Sequence, residues 1–146
     1  NLHRALENLA GVGNLVVSTL GEVDQPDIVP EIADLLLRME GKTWSLCTGS
    51  HADRVYASIR TTNIRADAGN LMRRLIGTLG KGGGHGTMSG GYVSITKTAA
   101  DGGRAIERLL ALRFVLAFKK NPERLAPIDL ANGELAAPEP PERQAP

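Results

Sequence analysis

The sequence predicts an α/β fold in which a mixed β-sheet of about four to five strands is flanked by helices. Three observations predict it. β-rich runs alternate with stretches of helical periodicity along the chain, the pattern of helices layered on a sheet. Residues 66–79 form the clearest helix, with Ala68, Leu71, Met72, Leu75, Ile76 and Leu79 repeating at i, i+3, i+4 and i+7. The turn-like Gly49-Ser50-His51-Ala52 joins two strand candidates so closely that they form a hairpin, which makes the sheet mixed.

The elements follow in order. Residues 2–9 place Leu2, Ala5, Leu6 and Leu9 on one helical face, and Gly11 and Gly13 stop that helix. The first strand falls in residues 14–23, where Leu15, Val16 and Val17 lead into Ser18 and Thr19. Asp27 opens a helix with Ile28, Ile32, Leu35, Leu36 and Met39 on one side, closed by Glu40-Gly41. Residues 43–48 are the second strand. In the third, residues 53–60, Val55, Ala57 and Ile59 point to the core. Tyr56, Ser58 and Arg60 point the other way, where they either meet solvent or line a site. The helix of residues 66–79 comes next, with Arg73 and Arg74 on its solvent side, and residues 91–96 alternate as a fourth strand. Asp101 opens a last helix that runs to Lys120, with Lys119 and Lys120 at the negative end of its dipole and Pro122 beyond. Leu109, Leu110, Leu112, Val115, Leu116 and Phe118 surround that helix on more than one face. It is therefore either deeply buried or packed on another domain or subunit.

A chain of 146 residues can bury one good core. The expected organisation is a linker helix over residues 1–13, a domain over residues 14–120 and a C-terminal extension over residues 121–146. The extension is disordered from about Pro138, where Pro, Glu, Gln and Ala leave almost nothing to bury. Position 1 is Asn, so the chain reads as cropped from a longer protein. No run of 18 apolar residues is present, so no membrane-spanning helix is expected. The single cysteine, Cys47, cannot close an intrachain disulfide and fits a reducing cytoplasm; it reads as a small strand residue rather than a nucleophile. His51 reads as a solvated turn residue. The net charge of +1 hides an asymmetry, because residues 54–120 carry twelve basic and three acidic residues, a net of +9, between acidic flanks. Such a field gathers anions. The rings, Trp44, Tyr56, Tyr92, Phe114 and Phe118, are too few for an extended base-stacking platform.

The densest chemical signal lies between the clearest helix and the fourth strand: Gly80-Lys81-Gly82-Gly83-Gly84-His85-Gly86-Thr87-Met88-Ser89-Gly90-Gly91. Glycine weakens regular structure by roughly 0.5 to 1 kcal/mol relative to alanine, so this density implies positive φ, close backbone approach, or both. Read as a loop, Gly82, Gly83 and Gly84 turn several N–H groups into one concavity that holds phosphate or carboxylate oxygens, with His85 at its rim. An ordinary turn is the alternative reading. The nucleotide-phosphate motif Gly-x-x-x-x-Gly-Lys-Ser/Thr is excluded because Gly82 follows Lys81, and the Gly-x-Gly-x-x-Gly spacing fails too. Arg60 beside such a loop would hold a phosphate in a two-pronged grip, and Ser58 would add a hydroxyl donor.

Ser58-Ile59-Arg60 at a strand end, then a helix, then Gly82-Gly83-Gly84-His85 followed by Ser89-Gly90 resembles the DHHA1 domain. That domain is the C-terminal half of DHH-family phosphoesterases, among them nanoRNase (oligoribonuclease/pAp-phosphatase) enzymes, RecJ-like exonucleases and exopolyphosphatase-related proteins. The resemblance covers roughly residues 14–116. Its Ile32-Ala33-Asp34-Leu35-Leu36 helix and the strand around Trp44 look most like the nanoRNase branch. Gly86 stands where proline or asparagine is frequent, and Met88 where a small residue is usual.

The resemblance implies that Ser58 and Arg60 contact phosphate or base, that the Gly82, Gly83 and Gly84 amides line the pocket, and that His85 reaches toward the scissile phosphate. It further implies Mn2+ in an N-terminal DHH domain, with a short oligonucleotide or phosphorylated nucleotide as ligand. A second copy of the chain is a further candidate partner. No Asp-His-His triplet occurs, and a two-metal phosphoesterase needs clustered carboxylates and imidazoles. The chain is therefore expected to bind substrate without hydrolysing it alone. Two other readings stand beside this one. The ligand is polyphosphate, or the chain is a non-catalytic interaction module docking a partner on residues 106–118.

Overall fold

The computed structural model describes residues 8–96 and 101–128. These build a seven-stranded sheet in the order β5-β6-β4-β3-β2-β1-β7, with three α-helices on its two faces. The strands are β1 Leu9–Val12, β2 Leu15–Glu22, β3 Trp44–His51, β4 Arg54–Thr61, β5 Gly80–His85, β6 Met88–Ser94 and β7 Ala126–Pro127. The helices are α1 Ile28–Leu36, α2 Ala68–Ile76 and α3 Arg104–Ala117. β2 and β3 run parallel and every other neighbouring pair is antiparallel, so the sheet is mixed. The parallel pair is joined through α1, as a crossover connection requires.

Alternation along the strands divides the core in two. Leu15, Val17, Leu46, Val55, Ala57, Ile59 and Val93 face α2 and α3, where Leu71, Met72, Leu75, Ile76, Leu110 and Phe114 meet them. Val16, Leu20 and Cys47 face the other way, against Val29, Ile32, Ala33 and Leu36 of α1. Period-2 side-chain direction makes these separate layers out of consecutive residues. Polar bonds fasten the layers: Ser45 Oγ donates to the Ala33 carbonyl at 2.8 Å, and Thr48 Oγ1 donates to Glu107 Oε1 at 2.6 Å.

The sheet is wider than the expected four to five strands, for three reasons. Leu9–Val12 is a strand paired with β2 rather than the end of a helix, and Gly13, at φ 56°, makes its turn. The rest of the expected linker helix, residues 1–7, lies outside the described residues. The glycine stretch is no loop: residues 80–94 form the β5–β6 hairpin. Ala126–Pro127 adds the seventh strand against β1, and Ile128 is buried beneath it, so the domain continues past residue 120. The tail expected from Pro138 also lies outside the described residues.

Smaller shifts have local causes. α1 ends at Leu36, leaving Leu35 on its open side at 37% exposure, while Val29 and Ala33 complete the buried face. The β3–β4 turn moves to Ala52, which takes φ 55°. His51 is half-buried, its Nδ1 donating to the Val23 carbonyl at 3.1 Å, rather than solvated. Asp101 caps α3 by accepting from the Gly103 and Ala105 amides. Leu112 and Leu116 remain exposed on the outer side of that helix.

Candidate functional site

Directly opposed residues in antiparallel strands point to the same face. Arg60 of β4 opposes Met88 of β6, and Met88 opposes His85 of β5. The three therefore form one row across the sheet, on the α1 side. Two residues along, Ser58, Gly90 and Gly83 form a second row, and beyond it Tyr56, Tyr92 and Lys81 form a third. α1 packs over β2, β3 and β4, and Met88, Gly90 and His85 beyond it are exposed. The result is a shelf whose floor has glycine in two of its three middle positions.

Arg60 is 9% exposed and anchored at the wall of the shelf. Its Nε donates to Asp34 Oδ1 of α1 at 2.7 Å, and its Nη1 donates to the Ile59 and Ser89 carbonyls at 3.0 and 3.2 Å. Nε and Nη1 are thus committed, so a two-pronged hold on phosphate would require displacing Asp34. Asp34 itself went unnoticed in the sequence as a partner for Arg60. The signal was its place in a helix that must cover β4, 26 residues away in the chain.

The glycines divide by face. Gly82, Gly84 and Gly91 turn toward α2, and each is required by packing: a Cβ on Gly82 would sit 2.8 Å from Met72 Cγ, and one on Gly84 would sit 2.5 Å from the Met88 carbonyl oxygen. Gly69, in the first turn of α2, abuts the Gly84 backbone so closely that a Cβ there would overlap the Gly84 carbonyl. Gly86, at φ 61°, opens the two-residue turn of the hairpin. The amides of residues 82–84 consequently belong to an extended edge strand and do not curl into a concavity. Ser89 also faces α2, and its buried Oγ finds no hydrogen-bond partner among the described residues.

Gly83 and Gly90 differ. They oppose each other on the shelf, neither has positive φ, and a Cβ on either would come no closer than 3.6 Å to any other atom. For Gly83 that atom is Arg73 Nη1, so this α2 arginine, exposed to solvent as expected, stands at the edge of the shelf.

The DHHA1 domain family matches residues 13–111. The chain belongs to this family. A DHHA1 domain is associated with DHH-family phosphoesterases and nucleic-acid-related proteins, and the strand-end Ser58-Ile59-Arg60 and the Gly82-Gly83-Gly84-His85 strand both fall inside the match. An uncharacterised protein of Methanocaldococcus jannaschii is 31% identical over 83 residues, covering 57% of this chain. The chain spans 16% of that relative's length. Among solved structures, the C-Ala domain of Aquifex aeolicus alanyl-tRNA synthetase is similar, with 18% identity, a TM-score of 0.48, and coverage of 70% of this chain and 97% of that one. The pGpG-specific phosphodiesterase PggH of Vibrio cholerae is 16% identical with a TM-score of 0.40, covering 71% of this chain and 34% of that one.

Elsewhere in this DHHA1 domain the chemistry is sparse. Among the described residues no three His, Cys, Asp or Glu side chains gather as a metal-ligating group. No described helix is long and apolar enough to cross a membrane. Burial, with the nearby Glu107 adding to it, pushes the Cys47 thiol far above its ordinary pKa, which keeps the sulfur protonated and unreactive. A cleft of about 320 Å³ lies at the Arg54 end of β4, lined by Gly21, Ser50, His51, Asp101 and Arg104 among others, and none of the sequence-predicted site residues reaches it.

Proposed function

We propose that this DHHA1 domain holds the phosphorylated end of a short oligonucleotide, or a nucleotide 3′-phosphate, on the shelf formed by β4, β6 and β5. A manganese-dependent DHH module elsewhere in the protein, of the nanoRNase type, then hydrolyses the ligand. Gly83 and Gly90 carry this reading. Glycine inside a strand loses stability, and where neither φ nor packing demands it, it marks a place where something must approach the backbone closely. A flat base or a sugar-phosphate laid on the floor meets that description. The Arg60 guanidinium supplies fixed positive charge at one wall, and the exposed His85 of the same row offers its imidazole to a phosphate oxygen.

Titration of the chain with a fluorescent, 5′-phosphorylated short oligoribonucleotide tests the proposal. Gly90→Val should keep the fold and weaken binding at least tenfold, about 1.4 kcal/mol, by filling the floor. Arg60→Ala should weaken it similarly. AMP should displace the probe better than tripolyphosphate; the reverse order would favour the polyphosphate reading. Unchanged affinity in both variants would overturn the shelf as the binding site.

A further inference from the structure

The third row of the shelf contains two of the five aromatic rings. Tyr56 and Tyr92 oppose each other across β4 and β6 with ring centroids 6.4 Å apart. The Arg54 guanidinium lies 3.8 Å over the Tyr92 ring, and Lys81 completes the row from β5. At about 3.4 Å of rise per residue, this row stands about 14 Å from Arg60 and about 7 Å beyond the glycine floor.

We infer that Tyr92, Tyr56, Arg54 and Lys81 form a second nucleotide position, so that the preferred ligand is at least a dinucleotide laid along the strands. The inference rests on the phosphate-end reading above. A guanidinium seated over a ring leaves its other side for a nucleobase, since Arg planes stack on bases as aromatic rings do. Arg54 is exposed, as a nucleobase approaching it requires. Lys81, also exposed, supplies a point charge for the intervening phosphate. The register of three strands puts these residues in line with the glycine floor. A mononucleotide gripped at Arg60 fills the floor and leaves the third row empty, whereas a dinucleotide occupies both.

The probes are 5′-phosphorylated diadenylate and AMP, titrated separately against the chain. The dinucleotide should bind at least tenfold tighter. Tyr92→Ala and Arg54→Ala should each remove about tenfold from the dinucleotide affinity and leave AMP within twofold. Arg54→Lys, which keeps the charge but loses the planar stack, should restore only part of the loss. Equal affinity for the two probes in the native chain overturns the second position, as does a dinucleotide-to-AMP ratio that neither Tyr92→Ala nor Arg54→Ala changes. An Arg60→Ala chain that binds both probes normally overturns the phosphate-end reading and the inference with it. If Tyr92→Ala perturbs folding, seen by circular dichroism, the exposed Arg54→Ala alone decides.

Discussion

At the scale of single residues, the neighbouring glycines 90 and 91 separate two demands that composition merges. A Cβ on Gly91 would overlap Ile76 Cδ1 and come within 2.6 Å of the Lys81 carbonyl oxygen, and that backbone atom cannot step aside. Gly91→Ala should therefore destabilise the domain by about 1 to 3 kcal/mol, the usual cost of overpacking. Gly90→Ala meets only the Ala57 carbonyl oxygen at 3.6 Å and should change stability by less than about 0.5 kcal/mol. Urea midpoints of the two variants at constant m value would show the contrast; equal losses would mean that the shelf glycine is needed by the fold after all. In the sequence both stand in one run. Its density was legible as a cost requiring an explanation, but which glycine answers to packing and which to a ligand depends on the register with β4 and β5. Arg60 was legible as part of the polar face of an alternating strand; its anchoring by Asp34 was not, because that contact exists only once α1 folds over β4.

At the scale of elements, α1, α2 and α3 were readable because periodicity is carried by many residues at once. The β5 strand was not. Four glycines in Gly80–His85 erase the alternation by which strands are recognised, and pairing with β6 together with the nearby surface of α2 overrides their weak propensity. β1 and β7 are too short to carry a period of their own; β1 exists because β2 offers an edge, and β7 because β1 then offers the next. The junction of α3 with the sheet is also a long-range product. Glu107 is 2% exposed and its carboxyl accepts from Thr48 Oγ1 at 2.6 Å and from the Gly21 amide at 3.3 Å, across 59 and 86 residues of chain. Thr48→Val preserves the shape but removes the shorter bond, leaving a buried acceptor short of a donor. It should cost about 1 to 3 kcal/mol in urea denaturation. A loss below about 0.5 kcal/mol would show that Gly21 alone satisfies the carboxyl.

At the scale of the whole molecule, the +9 block of residues 54–120 does not form one basic face. Arg54, Arg60 and Lys81 stand on the shelf and Arg73 at its edge, whereas Arg104, Arg108 and Arg113 ride on α3, on the opposite side of the sheet. A linear charge count therefore overstates what a ligand on the shelf can feel, because the sheet and its two core layers stand between the groups. Counterion release makes this measurable. Binding of single strands weakens with salt at a logarithmic slope of about −0.7 for each phosphate neutralised. Four cations on or beside the shelf set a limit near −3 for an oligonucleotide long enough to reach them all, and lengthening the strand further should not steepen it. A slope near −6 that grows with length would mean that the strand wraps onto the α3 face. Arg104→Ala and Arg108→Ala would then flatten it, while under the shelf geometry those two substitutions leave the slope unchanged and Lys81→Ala reduces its magnitude by about 0.7.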